Sequence, residues 1–171
     1  ESTFTVVAQH TRFHDTRAII DGQVHDIEKV AETIAEVKRE LETQLGKKLT
    51  DVCIAAAGRV LKTVQVRIDY ELEEDTVITQ EHIRTLIAGG IEKAYGVIRE
   101  DQTNANLVFN CVGHTVVHYY LNSYLMTTLE GHKGHAISAD LLATFLPQEV
   151  VDGLYSAVEK AGLQVADMTL E

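Results

Sequence analysis

The sequence predicts an α/β protein interrupted by an inserted α+β module. Three observations carry that expectation. An early stretch and the tail each read as helix and strand with uninterrupted apolar strands. The middle instead alternates apolar and polar residues with a period of two. The change of pattern sets expected domains at 1–58 with 139–171, and at 59–138 between them.

Phe4–Ala8 is a β-prone run at the start of the chain, followed by loop residues and the turn dipeptide Asp21-Gly22. Asp26 stands where an N-cap belongs, able to accept from the first free amides of a helix. Ile27, Val30, Ile34, Val37, Leu41 and Leu45 then form one apolar stripe, and Gly46 supplies the stop. Val52–Ala56 is a short continuous apolar run, expected to be a strand covered on both faces.

From Val64 to Leu72 the even positions are apolar and the odd positions polar, as in a strand with one wet face. Thr79 is expected to cap a helix running to Ile98. Gly89-Gly90 weakens that helix by about 1 kcal/mol per glycine relative to alanine. Leu107–Val112 and Thr115–Met126 read as a hairpin across Gly113-His114. Leu141–Leu146 reads as a strand of the α/β part, Pro147 suits a first helical turn, and Val150, Val151, Leu154 and Val158 make a stripe ended by Gly162. Leu163–Leu170 is again extended.

Composition narrows the function classes. The 171 residues are 45% hydrophobic and 24% charged, values of a folded globular chain, with a net charge of −11. That acidity repels phosphate backbones and excludes nucleic acid as an expected partner, since no local basic patch offsets it. The uncharged stretch Gln102–Leu129 is long enough to span a bilayer, but 12 of its 28 residues are Gln, Asn, Thr, Ser or His. It is therefore not expected to be a membrane helix, and no direct membrane contact is expected. Cys53 and Cys111 lie in apolar runs and read as buried free thiols of a reducing, cytoplasmic compartment.

The motifs that carry chemistry are sparse. His114 and His118, four apart on an expected strand, would stand about 13 Å apart, too far to share a metal. His132 and His135 are the remaining metal pair, with solvated loop histidines as the plain alternative. Gly131-His132-Lys133-Gly134 matches a bare G-x-x-G, but the strand before it does not suit a nucleic-acid clamp. No dinucleotide or P-loop glycine pattern occurs, and Gly58, between two expected strands, reads as a close turn. Glu71, Glu73, Glu74 and Asp75 do not follow an EF-hand spacing and read as a solvated turn. Neither Ser123 nor Ser138 sits in a nucleophile elbow. No catalytic, cofactor-binding or metal site is expected in this chain.

Tyr119, Tyr120 and Tyr124 crowd one expected strand, with Val116, His118, Tyr120, Asn122, Tyr124 and Met126 on one face. Such a cluster either packs on its own domain or meets a partner. Tyr120, Tyr124, His132 and Lys133 are accordingly the candidate partner-binding residues.

Several of these segments resemble a known family. Arg17-Ala-Ile-Ile-Asp-Gly-Gln-Val-His-Asp-Ile27 is similar to the approach to the first helix in FtsA- and PilM-like actin-fold proteins. Asp51-Val-Cys-Ile-Ala-Ala-Ala-Gly-Arg59, Cys111-Val-Gly-His-Thr-Val-Val-His-Tyr-Tyr-Leu-Asn122 and Ala143-Thr-Phe-Leu-Pro-Gln-Glu-Val-Val151 resemble the FtsA cell-division subgroup. Ala161-Gly-Leu-Gln-Val165 resembles a segment common to both.

The resemblance implies a partial actin-like (ribonuclease H-like) subdomain interrupted by a strand-helix-strand-strand subdomain. It also implies an ATP-binding, polymer-forming parent that tethers the FtsZ-like division protein to the inner face of the membrane, or a PilM-like pilus-assembly component. The family's Asp-Ile-Gly-Thr-type phosphate loop would precede this sequence, and its second phosphate loop and adenosine glycines would follow Glu171. The chain is thus expected to be a fragment without a cofactor of its own, ATP and Mg being expected for the parent. An FtsZ-like protein or further copies of the parent are the expected partners.

Overall fold

A computed structural model describes residues 5–56, 59–101 and 106–170. The chain divides into two units, residues 1–60 with 148–171, and residues 61–147.

In the first unit Asp21 and Gly22 both take positive φ and close a two-residue hairpin between β1 (Ile19–Ile20) and β2 (Gln23–Val24). Helix α1 (Ile27–Leu45) begins at Asp26, whose carboxylate accepts from the Lys29 amide, and ends at left-handed Gly46. The unit's small core joins Ala18 and Val30 to Ala157 of α3 (Gln148–Lys160). Between the helices Lys160 pairs with Glu28, and Lys38 Nζ donates to the Gly162 carbonyl at 2.7 Å. β3 (Asp51–Ala56) pairs in parallel with β8 (Gln164–Leu170).

Two expectations fail in this unit. Residues 5–8 form no strand, and Val6 and Val7 are exposed; Phe4 lies outside the described residues. β3 is not covered on both faces. Its residues alternate between exposed and half-buried as far as Ala55, and Cys53, expected to be buried, is exposed. A continuous apolar run of five residues carries no information about how many faces are covered. Gly58 lies outside the described residues.

The second unit is a four-stranded sheet in the order β4-β7-β5-β6, antiparallel throughout. β4 (Lys62–Val77) leads into α2 (Gln80–Glu100). Thr79 caps that helix in a reciprocal capping box with His82. β5 (Phe109–Leu121) turns through Asn122 and Ser123 into β6 (Tyr124–Met126), and β7 (Lys133–Pro147) returns through the middle. On the helix-facing side Ile137, Ala139, Leu141, Ala143 and Phe145 of β7 are fully buried. They join Val66, Ala94, Ile98 and Phe109 in one cluster, and Ile78, Leu86 and Leu129 in another. Gly90 matters here as absent volume, because a Cβ would stand 3.0 Å from Leu141 Cδ2 and 3.3 Å from Ile68 Cγ2. The Gly-Gly break is therefore a site of close helix-to-sheet approach.

Three boundaries of the inserted module differ from expectation. Leu141–Leu146 belongs to this sheet and not to the α/β unit, because β7 runs unbroken from Lys133 and pairs on both sides. The return crossing therefore falls after Pro147 and not near Ala139. Pro147 is the last strand residue, directly before α3. The expected hairpin across Gly113-His114 is instead one strand in which the register shifts between Cys111 and Gly113 and again between Val116 and His118. The true turn is Asn122-Ser123, whose φ values of 48° and 72° suit an asparagine-led primed turn.

Candidate functional site

The face of the four-stranded sheet opposite α2 carries the most concentrated polar chemistry of the described residues. It follows from register. In an antiparallel pair, residues directly opposite share a face and approach closely. Asp140 of β7 stands between Arg67 of β4 and His118 of β5. Two residues along, Ser138 stands between Asp69 and Tyr120. Three strands thus set six polar side chains in a two-by-three grid.

The contacts within the grid converge on Asp140. The Tyr120 hydroxyl donates to Asp140 Oδ2 at 2.9 Å. Arg67 Nη1 lies 3.5 Å from Oδ1 and His118 Nδ1 3.4 Å from Oδ2. The Arg67 guanidinium also sits 4.2 Å from the Tyr120 ring centroid, a cation–π arrangement. Desolvation works against the charge on Arg67. Hydrogen bonding to Tyr120 and Asp69 and the nearby Asp140 outweigh it and raise the group above its usual range. The Ser138 hydrogen bond, opposed by desolvation and aided by Arg67, holds the Asp69 carboxyl below its usual range. Asp140 is the most enclosed of the charged members, its side chain 18% exposed against 44% for Arg67 and 49% for His118. Such a network fixes side chains in place and leaves the outer edges of Arg67, Asp69 and His118 facing water.

One end of the grid meets an apolar rim. Leu125 of β6 lies opposite Tyr120 and is 63% exposed. Tyr124 lies opposite Leu121 and is 76% exposed. The short hairpin is pinned by Asn122, whose Oδ1 accepts from the amides of His135 and Ala136, both at 3.1 Å. A rigid backbone thus presents exposed Leu125 beside the fixed polar grid and exposed Tyr124 on the opposite face.

The four residues expected to bind a partner do not form one surface. Tyr120 is half-buried in the grid, while Tyr124 belongs to another strand and the opposite face. The register shift at Val116/His118 changes the face of every later residue, so Val116 and Met126 join the helix-side core and His118 and Tyr120 the other side. Lys133 opens β7 opposite Val77, and the His132 carbonyl accepts from the Ile78 amide at 2.9 Å. Lys133 lies five strand positions from Ser138, about 17 Å. Tyr119 packs in the core. Among the described residues no group of three or more His, Cys, Asp or Glu is placed to hold a metal ion. Burial raises the Cys111 thiol above its usual range, against hydrogen bonds with Gly113 and Thr144.

Asp140 and Arg67 were missing from the expected contact residues, yet the sequence marks both. Asp140 is the only Asp, Glu, Lys or Arg from Gly134 to Gln148, and Arg67 is the only cation from Thr63 to Val77. A lone charge in a strand pattern, as at Asp140, or a lone cation among acidic residues, as at Arg67, is a signal for a paired partner across the sheet.

Comparison with solved structures places this architecture. Over 93% of its length the chain superposes, with a TM-score of 0.56 and 13% identity, on a chain of a structure described as the PilM-PilN type IV pilus biogenesis complex. The chain shares that fold. It spans 38% of the matched chain. No protein-family model and no curated protein matches the chain. The likeness is one of fold alone, and nothing in it singles out FtsA. No helix of the described residues is long and apolar enough to cross a membrane.

Proposed function

We propose that this chain is a protein-interaction scaffold within a larger PilM-type actin-fold protein of pilus or secretion assembly. One observation carries the reading: the chain shares its fold, over nearly its whole length, with part of a protein captured in a PilM-PilN complex. The polar grid, with Tyr120 within it and exposed Leu125 beside it, is the contact surface this reading favours, since interfaces combine aromatic and apolar anchors with a polar surround. On this reading the chain performs no catalysis, ATP and Mg are held by other parts of the parent, and the parent works at the cytoplasmic face of the membrane.

The segments quoted from Asp51, Cys111 and Ala143 favour a second reading, an FtsA-type division protein that forms polymers and engages an FtsZ-like partner. Capture with the immobilised 171-residue chain separates the two. Retention of a PilN-type pilus protein and not of FtsZ is the expected result, and retention of FtsZ alone would replace the first reading by the second. Micromolar binding of labelled ATP by the chain itself would overturn both.

A further inference from the structure

An outer strand leaves alternate backbone N–H and C=O groups without a ladder partner, ready to template another strand. β4 is such a strand. It has 16 residues and pairs with β7 alone among the described residues. Its register with β7 is regular from Lys62 to Glu71 and then shifts before Thr76. In the middle of the regular stretch Lys93 of α2 reaches the backbone, and its Nζ donates to the Arg67 carbonyl at 2.7 Å. A main-chain acceptor on an outer strand is thus taken by an exposed ammonium.

Beneath that ammonium the strand is self-complementary. Antiparallel pairing of two copies about a two-fold axis through Ile68 sets Arg67 opposite the second copy's Asp69, and Asp69 opposite its Arg67. The same register sets Val66 opposite Tyr70, which is 39% exposed, and Gln65 opposite Glu71. Opposite charges directly across a pair stabilise it and like charges destabilise it. Moving the axis to residue 67 opposes arginine to arginine, and moving it to residue 69 opposes aspartate to aspartate. The axis at residue 69 also sets Arg67 opposite Glu71, but only the Ile68 register among these three pairs opposite charges without opposing like ones, and all seven residues from Gln65 to Glu71 lie in the regular part of the strand.

We propose that the outer edge of β4 is a pairing surface for a second copy of this chain, in antiparallel register about Ile68, and that Lys93 holds it closed. Removing the ammonium frees the Arg67 carbonyl for an incoming amide and lets the two strands meet. Light scattering after size exclusion, over a dilution series, reads the outcome directly. The unaltered chain is expected at its monomer mass of 18.9 kDa. Lys93→Ala and Lys93→Gln are each expected to shift to twice that mass at the concentrated end. Adding Asp69→Arg to either, which opposes two arginines to two arginines, is expected to restore the monomer with an unchanged circular dichroism spectrum. An unaltered chain already dimeric, Lys93 variants that remain folded monomers, or a dimer that survives Asp69→Arg would each overturn the proposal.

Discussion

In residues 61–147 a helix lies on a sheet whose central strand has a partner on each side, and the buried side chains of that strand fill two clusters. In residues 1–60 with 148–171, α1 and α3 meet over a core of Ala18, Val30 and Ala157, beside one pair of parallel strands. The first arrangement buries large groups, among them Phe145, Ile78, Leu86 and Leu141; the second buries chiefly small ones. Since stabilisation follows the apolar area removed from water, the inserted module is expected to be the more stable unit. It is also the unit that holds its surface chemistry on a stiff frame. A scaffold that recognises a partner gains from such stiffness, because less side-chain freedom is lost on binding.

Substitutions can break this contrast at different depths. Leu141→Ala removes a fully buried side chain from the central strand and is expected to cost about 2–5 kcal/mol. Urea denaturation followed by fluorescence of the module's tyrosines would show it; a loss below about 1 kcal/mol would mean that β7 is not the module's centre. Gly90→Ala is next. Its Cβ would press on Leu141 and Ile68, and overpacking of about 1–3 kcal/mol outweighs the gain of about 1 kcal/mol in helix propensity. A net stabilisation would show that α2 can lift from the sheet without penalty.

In the other unit Val30→Ala is expected to cost about 1.5 kcal/mol, two methylene-sized groups' worth of transfer energy. Asp26→Ala, which frees the Lys29 amide at the head of α1, is expected to cost about 1 kcal/mol. Thermal denaturation of each variant checks both. Losses as large as that of Leu141→Ala would erase the distinction between the units.

The smallest effect is a dependence on pH. Asp69 titrates below its ordinary value of 3.8, so its stabilising contribution is complete above that value. The contribution is lost as pH falls through the lower, folded-state value. Asp69→Asn should flatten the acid limb of a urea-midpoint profile slightly. Because Asp69 is well exposed, added salt should shrink the difference.

Much of this architecture was legible in the sequence where one rule acted alone. The stripe from Ile27 to Leu45 with Asp26 and Gly46 at its ends predicted α1, and the alternation from Val64 to Leu72 predicted the wet-faced strand. The tail helix also matches. Reading failed where two rules competed. Gly131 and Gly134 suggested a loop, yet Lys133 and Gly134 begin β7, whose buried alternation at 137, 139, 141, 143 and 145 uses two alanines in place of large residues. Gly113 looked like a turn, but the register shift beside it only bends β5. That shift and the next decide which tyrosines share a face, and nothing in a period-two pattern reveals an extra residue. The grid around Asp140 was unreadable for the same reason. It depends on which residues stand opposite one another in three strands, and pairing register is a tertiary property.

Hydrogen exchange on the 171-residue chain, alone and with a PilN-type pilus protein, tests the scaffold reading most directly. New protection is expected in the chain when the PilN-type protein is present, including amides of β5 and β6 around Tyr120 and Leu125. Exchange unchanged by that protein, with new protection appearing on addition of FtsZ, would contradict it.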